Sequence, residues 1–482
     1  MTQLERAFSP DTFRSQGHAL VDQLADYLQD TLAGEPGQAI PWSPPEQQWA
    51  RWQTAEMQPP DALFARLLDE SVRTHHPRYM GHQLSPVAPV AALASLAGDL
   101  LNNGMGVYEM GMLGTPLERL LVGRLAEKWG WTDAAGGFLT SGGTLANLTA
   151  LLAARSARAP EDVWRAGNRQ PLALLVSEQA HYCVDRAVRI MGWGERGIIK
   201  VPVRDDYTIA PDALEPALLQ AQSDGLQVVA VVGSACSTAT GSFDDLEAIG
   251  RFCSRHGLWF HVDAAHGGML AFSPTHRHRL RGIQQADSVV MDFHKMGMIP
   301  APTTALVFRD ERDSYRTFRQ KAGYLWAQDG DEEWYNLAKR TFECTKNLMG
   351  LKVWALWQSH GDELFEEYVD RVMSLASSLA AQVEARPDME LAIPPQSNIL
   401  CFRYRPEGWA VDLSRLNAHI RQALLEEGRY YVVQTQLQKE IWLRTTLTNP
   451  FTRPDDLAGM LDAVRRLGML FTRLEKEQHA QG

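Results

Sequence analysis

The chain is poor in cysteine. Its 482 residues hold five, Cys183, Cys236, Cys253, Cys344 and Cys401. They are odd in number, scattered, and form no CxxC pair, so neither a disulfide framework nor a structural zinc site is expected. That pattern fits a reducing compartment. A basic block is also missing. The formal net charge is −11, with Lys and Arg spread along the chain, so nucleic acid is not an expected partner. Long apolar runs are absent too. The longest, Pro86 to Leu101, is broken by Asp99; it is too short and too mixed to span a bilayer and reads as a buried helix. Met1 to Ser9 carry Glu5 and Arg6 without an apolar core. No secretory signal is expected, and a cytoplasmic location follows as the expectation. No internal repeat or low-complexity tract is seen.

What remains is ample for a large core: 45% of residues are hydrophobic, and the length suggests more than one folding unit. Leu20, Val21, Leu24, Tyr27 and Leu28 recur at helical spacing, which predicts an amphipathic helix over Phe13 to Leu32. Gly34 to Pro60 is rich in Pro, Gly and Gln and reads as an extended arm. Its Trp42, Trp49 and Trp52 suggest packing on a second subunit. From Pro89 to about Phe308, helical stretches alternate with short apolar runs: Ala173 to Val176, Val228 to Val232, Leu258 to Val262, Ser288 to Met291 and Ala305 to Phe308. This predicts an α/β fold with a mostly parallel sheet covered on both faces. Gln320 to Lys339 reads as a loop. A long helix is predicted from Thr341 to about Ser359, continuing after Gly361 through Arg386. Asn398 to Phe402, Ile441 to Leu447 and a helix Pro454 to Leu474 suggest a small C-terminal α+β domain.

Polar residues follow the apolar runs, and active sites of such sheets lie at the carboxyl ends of the strands. The run ending in Asp292-Phe-His-Lys295 places a lysine at the end of a buried strand. A buried amine is costly to leave charged and unpaired, so a lowered pKa suited to Schiff-base chemistry is expected. Trp259-Phe-His-Val-Asp263 ends in a carboxylate followed by Ala264, Ala265, Gly267 and Gly268, small residues that let a flat ligand approach the backbone. Asp263 can pair with a protonated ring nitrogen, or simply cap a helix. Thr140-Ser-Gly-Gly-Thr-Leu-Ala-Asn147 is a glycine turn entering a helix, an anion site to which the Ser141 and Thr144 hydroxyls can add. It is neither GxGxxG nor a P-loop, which disfavours nucleotides. His181 falls where a strand gives way to a helix and can stack on an aromatic ring.

The glycine turn, histidine, strand-end aspartate and strand-end lysine occur in this order, each after an apolar run. With His76-Pro-Arg-Tyr79, Gln83-Leu-Ser85, Tyr108-Glu109, Ala322-Gly-Tyr-Leu325 and Asn449-Pro450, they resemble the group II pyridoxal-phosphate-dependent amino-acid decarboxylases. That family includes glutamate, cysteine-sulfinate, diaminobutyrate and aromatic amino-acid decarboxylases. The resemblance covers roughly residues 65 to 470.

It implies an aspartate-aminotransferase-like, fold-type-I α/β architecture around a seven-stranded sheet. The division it suggests is an N-terminal helical arm at 1–75 that wraps a partner, a large domain at 76–355 and a small C-terminal α+β domain at 356–482. The cofactor would be pyridoxal 5'-phosphate, no metal would be needed, and the active site would lie at a homodimer interface. Lys295 would form the internal aldimine, Asp263 would hold the pyridine nitrogen protonated, and His181 would stack on the ring. Ser141, Gly142, Thr144, Ser234, Ser237, Ala265 and His294 would complete the cofactor site. Arg444 would recognise the α-carboxylate, and Gln83 and Tyr108, with His82 and Glu109, would line the substrate pocket. Loss of CO2 through a quinonoid would give an amine, with Tyr335 or alternatively Tyr324 returning the proton. Glu109 suggests a polar or cationic substrate; acidic or diaminobutyrate-like amino acids rank before aromatic ones. Two departures are visible: Asp292-Phe-His-Lys295 replaces the usual Asn-Pro-His-Lys, and Glu343-Cys-Thr-Lys346 stands where many members end a segment in arginine. A carbon–carbon lyase, a transaminase, an oxidative deaminase or a non-catalytic scaffold on the same fold are the competing readings.

Overall fold

A computed structural model of the chain describes residues 2–318, 333–407 and 412–481. These residues pack as two compact units, one of residues 83–373 with 395–398, the other of residues 1–82, 374–394 and 399–482.

The larger unit is built on seven strands: β1 (Gly136–Thr140), β2 (Leu172–Ser177), β3 (Ile198–Val201), β4 (Gln227–Ser234), β5 (Trp259–Asp263), β6 (Ser288–Asp292) and β7 (Thr304–Phe308). Their order across the sheet is β1-β7-β6-β5-β4-β2-β3. Strands β6, β5, β4, β2 and β3 run parallel, and β7 is antiparallel to both β1 and β6. The sequence reason is visible strand by strand. Every residue of β1, β2, β5, β6 and β7 is buried, as a sheet covered on both faces requires, so these strands read as near-continuous apolar runs rather than alternations, interrupted in β5 by His261. At the edge, β3 is only partly buried.

The helix Gly143–Arg158 lies against this sheet through Ala146, Ala150, Ala153 and Ala154, all buried. Small side chains on one stripe let a helix approach a sheet closely and seat its N-terminus at the strand ends. The turn into the helix needs Gly142, whose φ of 108° disfavours any side chain. Another glycine requirement is Gly137 in β1, where a Cβ would fall 2.0 Å from the Leu306 carbonyl oxygen of β7.

The other unit holds a four-stranded antiparallel sheet: β8 (Met389–Leu391), β9 (Ile399–Tyr404), β10 (Val433–Leu437) and β11 (Glu440–Thr446), in the order β10-β11-β9-β8. Helices Leu413–Glu427 and Pro454–Gln481 belong to it, and its core includes Leu400, Phe402, Leu416, Leu424, Leu443, Leu461 and Val464. The N-terminal helix Pro10–Ala33 is opened by Ser9, whose Oγ accepts from the Thr12 amide at 3.2 Å, and closed by Gly34 at φ 91°.

Three expectations need correction. Gly34 to Pro60 is not wholly extended: Pro45–Gln53 is a helix. Two of its tryptophans find partners in their own chain. The Trp52 indole donates to Glu70 at 3.0 Å, with the Arg66 guanidinium stacked 4.2 Å from its ring, and Trp42 packs against the cluster of Ala39, Ile40, Tyr79 and Tyr431. Only Trp49 of the three stays exposed, at 65%. Next, the apolar stretch does form a helix, Pro89–Leu101, but only Ala91 and Gly98 are buried. Leu93, Leu96, Leu100 and Leu101 face outward, Leu100 at 67% exposure, because apolarity sets what a helix wants to cover and not whether its own chain covers it. Last, the long helix starts at Met349 rather than Thr341 and runs to Glu384, with a break at Gly361, φ 69°.

Candidate active site

The carboxyl ends of β4, β5 and β6 and the N-terminus of Gly143–Arg158 surround one cavity of about 230 Å³ in the larger unit. Its walls include Gln83, Thr144, His181, Ser234, Ser237, Asp263, Ala265, His294 and Lys295. Nine of the residues singled out from sequence are thus brought together from segments far apart in the chain. Asn147, Cys183, Cys236, Thr238, His266 and Asp292 also line it.

Lys295 sits one turn past β6 and meets Asp292, with Nζ 3.0 Å from Oδ2. The amine is therefore not unpaired, and the expected pKa depression does not hold. Burial pulls the ammonium down, but the charges of Asp292 and Asp263 outweigh it, and Lys295 is held above the ordinary lysine value. Asp292 in turn is held below the usual carboxylate range. Burial pushes it up, but Lys295, His294 and the Thr304 hydroxyl, 2.5 Å from Oδ1, outweigh that. His294 Nδ1 lies 3.2 Å from both the amide nitrogen and the carbonyl oxygen of Thr303. Burial, ahead of its neighbours' charges, lowers its pKa.

Asp263 closes β5. Its Oδ1 accepts from the Ala265 amide at 3.1 Å and its Oδ2 from Asn147 Nδ2 at 3.3 Å. His181 caps the helix Tyr182–Ile190: its Nδ1 accepts from the Cys183 amide at 3.3 Å. Burial lowers the His181 pKa, opposed by Asp263, so the ring is neutral near pH 7 with its proton on Nε2. Gln83 Nε2 is buried with no hydrogen-bond partner among the described residues, a donor available to a ligand in the cavity it lines. Ser234 is fixed through its amide, which donates to Asp244 Oδ2 at 2.7 Å, and the Ser237 hydroxyl lies 2.8 Å from Thr240 Oγ1.

Other predicted residues lie elsewhere. Ser141 is exposed, and its hydroxyl is engaged by Glu343. Neither it nor Gly142 lines the cavity, although Gly142 shapes the turn. Tyr108 and Tyr335 pack edge to face at 5.8 Å, both exposed and outside the cavity walls. Tyr324 and the Ala322 to Leu325 motif lie outside the described residues. Arg444 belongs to the other unit, on β11 opposite Val433 and Cys401. It is buried there, which weighs against its charge.

The donor set suits a phosphorylated aromatic aldehyde. A lysine stands ready for the carbonyl, a carboxylate for a ring nitrogen, an imidazole for a ring face, and a helix N-terminus with Thr144 for a phosphate. Among the described residues no cluster of His, Cys, Asp or Glu is arranged to hold a metal, and no helix is long and apolar enough to cross a membrane. Fold and cavity together define a fold-type-I enzyme of the pyridoxal-phosphate class.

The comparisons narrow this. The sequence pattern described as the pyridoxal-dependent decarboxylase conserved domain matches residues 53–405. Cysteine sulfinic acid decarboxylase of Mus musculus is 30% identical over 415 residues, 83% of each chain. L-2,4-diaminobutyrate decarboxylase of Acinetobacter baumannii is 29% identical over 419 residues, 83% of this chain and 82% of that protein. The crystal structure of the mouse enzyme CSAD superposes with a TM-score of 0.87 at 26% identity, covering 95% of this chain and 99% of that one. The chain belongs to the pyridoxal-dependent decarboxylase family. It is a pyridoxal-phosphate-dependent carboxy-lyase acting on an amino acid.

Proposed function

We propose that the protein decarboxylates a small acidic or diaminobutyrate-like L-amino acid to its amine, with Lys295 as the residue that carries the cofactor. The observation that carries this reading is the convergence of Lys295, Asp263, His181 and the Gly143–Arg158 N-terminus on one cavity. The substrate class rests on the relatives, whose names specify cysteine sulfinic acid, L-2,4-diaminobutyrate and L-aspartate.

Pyridoxal phosphate, when bound, supplies a sink for the electron pair left as CO2 departs. The chain's own residues set up the rest. Asp292 neutralises the Lys295 ammonium at 3.0 Å and keeps the amine in place when it is free. Asp263 presents a fixed carboxylate to the ring nitrogen. His181, neutral and held by the Cys183 amide, offers a flat face without adding positive charge. The first turn of Gly143–Arg158, with Thr144, supplies N–H and O–H donors for phosphate. Gln83 Nε2 donates to a substrate oxygen. Tyr335 returns the proton to Cα.

The active unit is a homodimer in the cytoplasm, its N-terminal helices and residues to about 75 serving as an arm on the partner. Support comes from the outward apolar face of Pro89–Leu101 together with exposed Met110, Met112 and Leu113, a patch of the kind that marks subunit contacts. Five free thiols fit a reducing compartment.

The deciding experiment is an absorbance spectrum of the purified protein, then a screen for CO2 release from aspartate, glutamate, cysteine sulfinate, diaminobutyrate, ornithine, dopa and tryptophan. A visible absorbance band of the bound cofactor that is lost in Lys295→Ala, with CO2 from an acidic or diamino substrate, is expected. A band with CO2 only from aromatic substrates overturns the substrate class. Unchanged absorbance in Lys295→Ala overturns the lysine assignment.

A further inference from the structure

Behind Asp263 lies a row of buried polar groups for which the reaction gives no direct role. Strand alternation puts Trp259, His261 and Asp263 on one face of β5. The register places Ser288 of β6 directly beside His261, and Asn147 comes from the second turn of the helix above. The contacts form one line. Trp259 Nε1 is 2.9 Å from Ser288 Oγ, which is 2.8 Å from His261 Nδ1. His261 Nε2 is 2.8 Å from Asn147 Oδ1, and Asn147 Nδ2 is 3.3 Å from Asp263 Oδ2. Trp259, Ser288, His261 and Asn147 are all within 1% of complete burial.

The direction of every hydrogen in this line is determined from both ends. An indole only donates, so Ser288 Oγ accepts at one end. At the other, Asn147 Nδ2 is also 2.9 Å from the Gly143 carbonyl. Both its neighbours, that carbonyl and the Asp263 carboxylate, only accept. The amide must therefore turn its NH2 toward them and its oxygen toward His261. That oxygen requires the His261 proton on Nε2. Burial holds His261 neutral, its pKa lowered to about 4, so Nδ1 is a bare lone pair and takes the Ser288 hydroxyl hydrogen. No other arrangement leaves all five groups satisfied, and a half-satisfied buried chain is costly.

We propose that Asn147, His261 and Ser288 are positioning residues: they deliver an oriented donor to Asp263 and aim its carboxylate at the ring nitrogen of the cofactor. The inference rests on the function proposed above and deepens it. It assigns to core residues a share in how the electron sink is held. Their effect should be felt only by a cofactor that has a ring nitrogen to hold.

The test compares two ligands on refolded, cofactor-stripped protein: pyridoxal phosphate and its analogue with carbon in place of the ring nitrogen. Affinities are read by calorimetric titration, and melting curves confirm folding. His261→Phe keeps the volume and removes both nitrogens. It should weaken pyridoxal phosphate by roughly tenfold, in line with the net worth of one lost buried hydrogen bond, and leave the analogue unchanged. His261→Gln, which retains a donor toward Asn147, should restore most of the preference. Ser288→Ala, which cuts the chain one link farther back, should shift the ratio in the same direction by less, and it keeps the test usable if His261→Phe does not fold. Equal weakening of both ligands, or an unchanged ratio in the folded variants, overturns the chain's role and leaves the decarboxylase reading standing. Wild-type protein that binds neither ligand overturns that reading itself.

Discussion

Replacing Asp292 by Asn probes the charge state of the lysine directly. The two side chains are nearly isosteric, and the amide can still accept from the Thr304 hydroxyl, which lies 2.5 Å from Asp292 Oδ1. What is lost is one negative charge 3.0 Å from Lys295 Nζ. With an effective dielectric of about 20, unit charges at that distance attract by about 5 kcal/mol. Asp263 also supports the ammonium, and the Asn dipole compensates in part. If only a quarter of the attraction is lost, the fraction of neutral amine at a given pH still rises about tenfold. The assay is acylation of cofactor-free protein near pH 8 by a small activated ester, with label at Lys295 counted by mass spectrometry. At least tenfold faster labelling is expected in Asp292→Asn, with exposed lysines unchanged. The sign carries over to stability. Because the folded pKa of Lys295 is raised, its pair contributes fully below the unfolded lysine value and is lost as pH rises through the folded one. The variant should lack that contribution at neutral pH. Equal labelling rates would refute the reasoning and show that Asp292 does not control the amine.

His261 gives the acid limb. A fall from 6.5 to about 4 corresponds to roughly 3 kcal/mol, present above pH 6.5 and lost as pH falls toward 4; urea melts should show this in the wild type and not in His261→Gln. The buried pair of Lys346 and Glu118, which also clamps the Leu139 carbonyl and amide, should behave as such pairs do. Glu118→Leu should cost about 3–5 kcal/mol in denaturant, and adding Lys346→Met should recover most of it; no recovery would count against an uncompensated charge as the cause. Tyr335→Phe should divert product from amine toward aldehyde, read by chromatography of the turnover mixture. An unchanged amine yield would remove Tyr335 as the proton donor.

How much was legible depended on whether a signal was local. The runs Ala173 to Val176, Val228 to Val232 and Ser288 to Met291 fall within the observed β2, β4 and β6, because burial on both faces writes itself as uninterrupted apolarity. The edge strand β3 was not marked out, since Ile198-Ile-Lys-Val201 is only partly buried and shorter than the pattern needs. Lys295, Asp263 and His181 could be picked because each follows an apolar run at a strand end. Asn147 and His261 lie inside the glycine-turn and strand-end motifs, yet neither motif shows what they do. Their significance comes from an inter-strand register and a helix turn, and neither is local in sequence. The raised pKa of Lys295 is hidden from the sequence for a related reason. In the sequence Asp292, three residues earlier, shows only as a departure from a motif, and the helical turn Phe293–Met296 is what makes it the counter-charge of Lys295. The exposed face of Pro89–Leu101 marks another limit, because a sequence cannot say which surface covers an apolar stripe.

Strand β5 carries an indole in the core, an imidazole one step up and a carboxylate at the cavity, all on one face. Anyone redesigning this enzyme inherits that linkage. Substitutions at Trp259 or Ser288, chosen to raise thermal tolerance or to repack the interior, reach Asp263 through four or three hydrogen bonds respectively. In screened libraries such positions should behave as hidden activity sites: variants there keep their fold and lose turnover, although none of them touches the ligand. A stabilising campaign on this scaffold is better begun at the edge strand β3, which is only partly buried.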